Sequence, residues 1–109
     1  MVVGKKSEAV ADRCMSALAD VNRRDIFKHV LVHEESVSAL ARRYPMSFAA
    51  VQKHVAVLER AGLVSKRKSG REQLVYGRIE AARNVNRLFD QFEQLWQNRI
   101  DHMSEILAE

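Results

Sequence analysis

SVSALARRYPMSFAAVQKHVAVLERAGLV, residues 36–64, holds two short amphipathic segments parted by a sharp break. In the first, Val37, Leu40 and Ala41 recur at the i, i+3, i+4 spacing of one helix face, and Ser36 stands where a cap belongs. That segment has to end near Arg43, because Tyr44 precedes Pro45, the only proline of the chain, and the residue before a proline is pushed out of the helical region. Ser47 can cap a second helix whose apolar stripe is Val51, Val55 and Leu58, with Gly62 just past its last turn. The spacing predicts helix, tight turn, helix over about 36–61.

At ~100° per residue the second helix turns Ala49, Lys53, Ala56 and Arg60 away from Val51, with Gln52 to one side. Small residues let a helix approach DNA closely, Gln can pair with an adenine edge, and Lys can reach guanine or phosphate. Downstream, Val64 on one side and Leu74, Val75 and Tyr76 on the other flank Ser69-Gly70, a turn signal between β-favouring runs. This predicts a hairpin over about 63–78 whose tip is crowded by Lys66, Arg67, Lys68 and Arg71. Residues 36–78 carry 9 Lys/Arg against 2 Asp/Glu, a balance of +7, whereas the flanks 1–35 and 79–109 stand at 0 and −3. The positive charge is confined to the predicted helix pair and hairpin, where a basic patch supplies salt-sensitive affinity for a phosphate backbone. The fold class predicted is mainly α with a small β-hairpin, a winged helix-turn-helix. Its candidate DNA contacts are Ser47, Ala49, Gln52, Lys53 and His54 on the second helix and Arg67, Lys68 and Arg71 on the wing, with double-stranded DNA as partner. His54 lies about 60° from the centre of the buried stripe and reads as a hydrogen-bonded anchor between helix and wing.

The run Ala19-Asp20-Val21-Asn22-Arg23-Arg24-Asp25-Ile26, then Ser36 to Ala41, Met46-Ser47 and the block Val51 to Val64 resemble the ArsR (SmtB) family of bacterial repressors. The resemblance covers roughly Ala17 to Tyr76 and is most specific from Lys53-His54 to Val64. It implies a homodimeric repressor that releases its operator on binding an unidentified inducer or on a change of redox state. The thiolate pair of the metal-sensing members would fall at about Ser36 and Ser38, and hydroxyls are poor ligands for soft metals. Where those members use an Asp-x-His pair and a downstream His-x-x-Glu, this chain has Asp90-Gln91-Phe92 and His102-Met103-Ser104-Glu105, so the first pair lacks its histidine. No metal and no cofactor are expected; His29 and His33 share a helix face with only Glu34 or Glu35 at hand, and read as surface histidines.

From Ala81 onward Val85, Leu88, Phe89, Phe92, Leu95, Trp96, Ile100, Met103 and Leu107 form a wide apolar stripe on a predicted helix over about 80–107. The stripe is longer than a core this small can cover, so part of it is expected to face a second subunit together with the segment Ala9 to Leu18. Cys14, Leu18, Phe89, Phe92, Trp96, Ile100 and Met103 are the candidate dimer-interface residues, and N- and C-terminal helices together would form the dimer. Cys14, the only cysteine, also reads as a small buried apolar residue, and its solitude fits a reducing cytoplasm.

At 109 residues the chain is read as one domain, 1–109, with Val2 to Ser7 as a loose lead-in. No apolar run exceeds four residues, so neither a membrane span nor a signal-peptide core is expected. An enzyme needs a nucleophile with its base, paired carboxylates or a full metal site, and the scattered Ser, His and Asp here show no such motif. Two other readings stand beside the repressor: a winged-helix module for protein interaction or nonspecific nucleic-acid binding, and an activator.

Overall fold

The computed structural model describes residues 2–108, with side chains from Lys6 onward. In chain order the elements are α1 (Val2–Ala17), α2 (Val21–Val32), β1 (Glu35–Ser36), α3 (Val37–Arg42), α4 (Phe48–Arg60), β2 (Val64–Ser69), β3 (Glu72–Gly77) and α5 (Glu80–Ala108). Helices dominate, and the three strands form one antiparallel sheet in the order β1-β3-β2. The wing is the β2–β3 hairpin, in register from Val64 opposite Gly77 to Ser69 opposite Glu72, which places its two-residue turn at Gly70 and Arg71, one residue beyond the expected centre. β1 has no counterpart in the sequence reading. Two residues are too few to leave a period, and they become a strand only because Glu35 and Ser36 meet Val75 and Leu74 on β3. Val2 to Ser7, expected as a lead-in, are the first turns of α1. Gly4 disfavours helix most there, by about 1 kcal/mol, and propagation from the packed end of the helix meets it.

Each helix of the central unit starts on a side-chain cap. The Asp20 carboxylate accepts from the Asn22 and Arg23 amides at 2.8 and 3.1 Å, the Ser36 hydroxyl from Ala39 at 3.0 Å, and the Ser47 hydroxyl from Ala50 at 3.1 Å. Every one satisfies an amide that the first helical turn leaves without a partner. α3 ends at Arg42 with Arg43 as its C-cap, as Pro45 requires. α4 ends differently: Gly62 takes φ +78°, its amide donates to Glu59 O, and the Leu63 amide donates to Leu58 O. That pair of bonds is a Schellman close, and it drops Leu63 into the core at the root of the wing.

Ile26, Leu40, Val51, Val55, Leu58, Leu63, Val64 and Val75 are fully buried and bring α2, α3, α4 and the wing base around one centre. Cys14 joins them at 0 % exposure, its Sγ 3.5 Å from the Ala61 carbonyl. This corrects its assignment to the dimer interface. Ala11, Cys14 and Ala17 recur every third residue on the inward face of α1, so the thiol has no surface to offer a second subunit, and burial pushes its pKa up. Leu18 is half-buried and packs on the edge of the core.

α5 behaves unlike the other helices. Ala81, Ala82 and Val85 pack against the core, but none of its residues is buried, and from Gln91 to Ala108 every one is exposed. Its 29 residues run about 43 Å at ~1.5 Å per residue. The chain accordingly measures 69 × 31 × 20 Å with a radius of gyration of 18.8 Å, where a compact chain of this length has about 13 Å. Phe89, Phe92, Trp96, Ile100 and Met103 line one side of this overhang, with the Phe89 and Phe92 rings edge-on at 6.2 Å. No helix among the described residues is long and apolar enough to cross a membrane.

Candidate nucleic-acid interface

α4 buries Val51, Val55 and Leu58 and presents Ala49, Gln52, Lys53 and Arg60 to solvent. Ser47, at the start of this face, is exposed, but its hydroxyl already serves as the cap acceptor. Ala56, expected outside, is half-buried. Phe48, which the sequence reading does not include, is the first residue of α4 and is 47 % exposed one turn before Gln52.

His54 is half-buried, and its partner is not on the wing. Its Nδ1 lies 3.3 Å from Nη1 of Arg23; a guanidinium can only donate, so the imidazole accepts. The same Arg23 donates through Nε to Ala17 O at 2.6 Å and through Nη2 to Ser16 O at 3.4 Å. The anchor therefore joins α4 to the end of α1 through Arg23 in the first turn of α2, in place of the expected link to the wing. Asp20 sits in the same corner, its carboxyl held below the usual range chiefly by the Arg23 amide bond.

The wing cations divide into two groups. Arg67 is clamped to Glu34 by two bonds, Nε to Oε1 at 2.5 Å and Nη2 to Oε2 at 2.8 Å; the pair holds the Glu34 carboxyl low and the Arg67 guanidinium high. Lys66 lies 3.5 Å from Glu59 on α4. Lys68 and Arg71 are exposed, and among the described residues no carboxylate stands within ion-pair distance of either. Behind the wing, Arg43 donates to His29 Nδ1 at 3.1 Å, which leaves the proton on Nε2, where it is given to Glu35. That contact keeps the Glu35 carboxyl low. Asp25, Lys28, His29, Val32, His33 and Arg43 line an open cleft of about 340 Å³ beside it. Among the described residues no group of three or more His, Cys, Asp or Glu side chains has the geometry to hold a metal ion. Tyr44 closes the turn between α3 and α4, its hydroxyl donating to Asp25 at 2.8 Å; burial, and then this bond, push it up to about 12.

This frame has close counterparts among solved structures. The ArsR-like transcriptional regulator from Rhodococcus sp. RHA1 superposes with a TM-score of 0.80 at 28 % identity, covering 93 % of this chain and 95 % of that one. The chain shares the winged helix-turn-helix fold of ArsR-like transcriptional regulators. The HTH-type transcriptional regulator Rv2034 of Mycobacterium tuberculosis is 42 % identical over 59 residues, 54 % of this chain and 55 % of the relative, so the match spans about half of that curated protein. A homodimeric winged helix-turn-helix DNA-binding domain from Mycobacterium bovis superposes with a TM-score of 0.61 at 24 % identity over 93 % of this chain and 88 % of its own; at that identity the likeness is one of fold. No protein-family model matches the chain.

Proposed function

We propose that this ArsR-like chain is a sequence-specific transcriptional regulator, a repressor that binds an inverted-repeat operator as a homodimer in the cytoplasm. The observation that carries the reading is the solvent face of α4: Ala49, Gln52 and Lys53 lie exposed together on a helix whose other side is locked into the core, next to a hairpin with Lys68 and Arg71 unpaired among the described residues. In this reading α4 enters the major groove, Gln52 and Lys53 meet base edges, Ala49 admits close approach, and the wing cations lie on phosphate. His54 stays behind the helix and orients it through Arg23. The relatives described above are named as regulators, which supports the same class of function.

α5 supports the dimer in this reading. Phe92 and Trp96 are 54 % and 57 % exposed and stand in one stripe with Phe89, Ile100 and Met103, more apolar surface than an isolated helix leaves in water. Two-fold pairing along this stripe, next to α1, would set two copies of α4 for successive major grooves about 34 Å apart.

The test is to incubate the purified protein with fragmented DNA of its own organism, recover what binds at near-physiological salt, and sequence it. Enrichment of an inverted repeat at promoters is the expected result. Recovery without sequence preference would instead favour a nonspecific binder or a protein-interaction module.

A further inference from the structure

We infer that Glu34 is a positioning residue that keeps Arg67 out of the phosphate-contacting set of the wing, leaving Lys68 and Arg71 to carry that contact. The inference rests on the DNA reading above and goes beyond it, because composition alone counts Arg67 among the wing's free charges.

Strand geometry separates the cations first. Side chains alternate across a strand, so on β2 Lys66 and Lys68 share one face and Arg67 takes the other. Lys66 reaches Glu59 of α4, so its face looks toward the helix that would read bases. Arg67 points to the opposite side, where the corner between α2 and β1 presents Glu34. That corner is not free to drift: Glu35 and Ser36, the next residues, are held in the sheet against Val75 and Leu74, and Leu74 is also the residue opposite Arg67. The carboxylate is thus held on the far side of β3 from the strand that carries the guanidinium it binds.

The bond is of the fork-to-fork kind, two N–H groups on two oxygens at 2.5 and 2.8 Å. A phosphate would use the same donors in the same plane, so carboxylate and phosphate compete for one fork. While Glu34 holds it, the pair is neutral as a unit and releases no counterion when DNA approaches. The salt dependence of binding counts phosphates neutralised, at about −0.9 per contact in log K against log salt, and so reads the clamp directly.

The experiment measures binding of a labelled random-sequence duplex between about 50 and 200 mM salt for the wild type, Glu34→Gln, Arg67→Gln, the double variant, and Lys68→Gln as a phosphate-contact control. Both clamp residues are solvent-exposed, and unchanged circular dichroism verifies the fold. Glu34→Gln is expected to steepen the slope by about 0.9 per wing, roughly 1.8 for a two-wing dimer. Arg67→Gln alone is expected to leave the slope unchanged, Lys68→Gln to flatten it, and Glu34→Gln to have no effect once Arg67 is gone. A flatter slope for Arg67→Gln alone would mean that Arg67 already lies on phosphate and would overturn the inference. So would no change in Glu34→Gln, or a gain that persists in the double variant, which is plain repulsion between Glu34 and DNA. A wild type that shows no salt-dependent duplex binding overturns the DNA reading itself, a result distinct from all of these.

Discussion

Trp96→Ala isolates the proposed dimer contact, because the indole makes no part of the chain's own core and is 57 % exposed on a single copy. A tryptophan side chain presents up to about 250 Å². The open share is therefore about 140 Å² per copy, which at about 25 cal/mol/Å² contributes about 3.5 kcal/mol when a partner covers it completely. A two-fold interface repeats every contact, so complete cover amounts to about 7 kcal/mol and half cover to about 3.5 kcal/mol. At about 1.4 kcal/mol per decade, the dimer dissociation constant should rise by roughly 300-fold to 100,000-fold. Sedimentation equilibrium over a range of protein concentrations measures that constant, and far-ultraviolet circular dichroism verifies that the helices survive. Operator affinity should fall over the same concentration range, since a monomer offers one α4 where the proposed inverted repeat needs two. A variant that keeps its fold and dimerises within a few-fold of the wild type would refute the assignment of this stripe to the interface.

Other perturbations probe other levels of the structure. Gly77→Ala places a Cβ 2.8 Å from Leu31 Cα and 2.9 Å from its amide nitrogen, so β3 and the backbone of α2 must separate. A loss of about 1–3 kcal/mol by urea unfolding is expected, and no change would mean that the two elements are not in contact there. Gln52→Ala and Lys53→Ala should each weaken operator binding more than random-duplex binding; equal losses on the two duplexes would remove these side chains from base readout. Asp20→Ala should lower the melting temperature at neutral pH. The folded-state pKa of Asp20 is depressed, so its stabilisation is present above the ordinary value of 3.8 and is lost as pH falls through the lower folded value. Melts at neutral pH and below about pH 3 check this, and a gap that persists in acid would mean that the carboxylate's charge is not what caps α2.

What the chain discloses without a structure depends on how far along it each interaction reaches. The caps at Ser36 and Ser47, the break at Pro45 and the close at Gly62 join residues within five positions of each other and are legible in the chain, whereas the Asp20 cap has no place in the sequence reading. Helical arithmetic places the inward set Val51, Val55 and Leu58, and the stripe of α5, whose excess over the available core was visible as length alone. β1 escaped because two residues carry no period.

Partners escaped for a different reason. The sulfur of Cys14 meets Ala61 across 47 positions, His54 meets Arg23 across 31, and Arg67 meets Glu34 across 33. Periodicity can say on which face a side chain stands; it cannot say what the fold carries up against that face. Each long-range partner here changed a role: Cys14 moved from a shared surface to the core, His54 from the wing to the end of α1, and Arg67 from a free charge to half of a neutral clamp. The effect is largest for charge. A count over residues 36–78 treats all nine cations as available to DNA, yet Arg67 is clamped by a carboxylate outside that segment and Lys66 lies near one inside it. In the proposed reading the basic patch marks the DNA interface and the pairing pattern selects which of its charges remain to act there, which is why the salt slope of single variants, rather than net charge, is the quantity that tests the site.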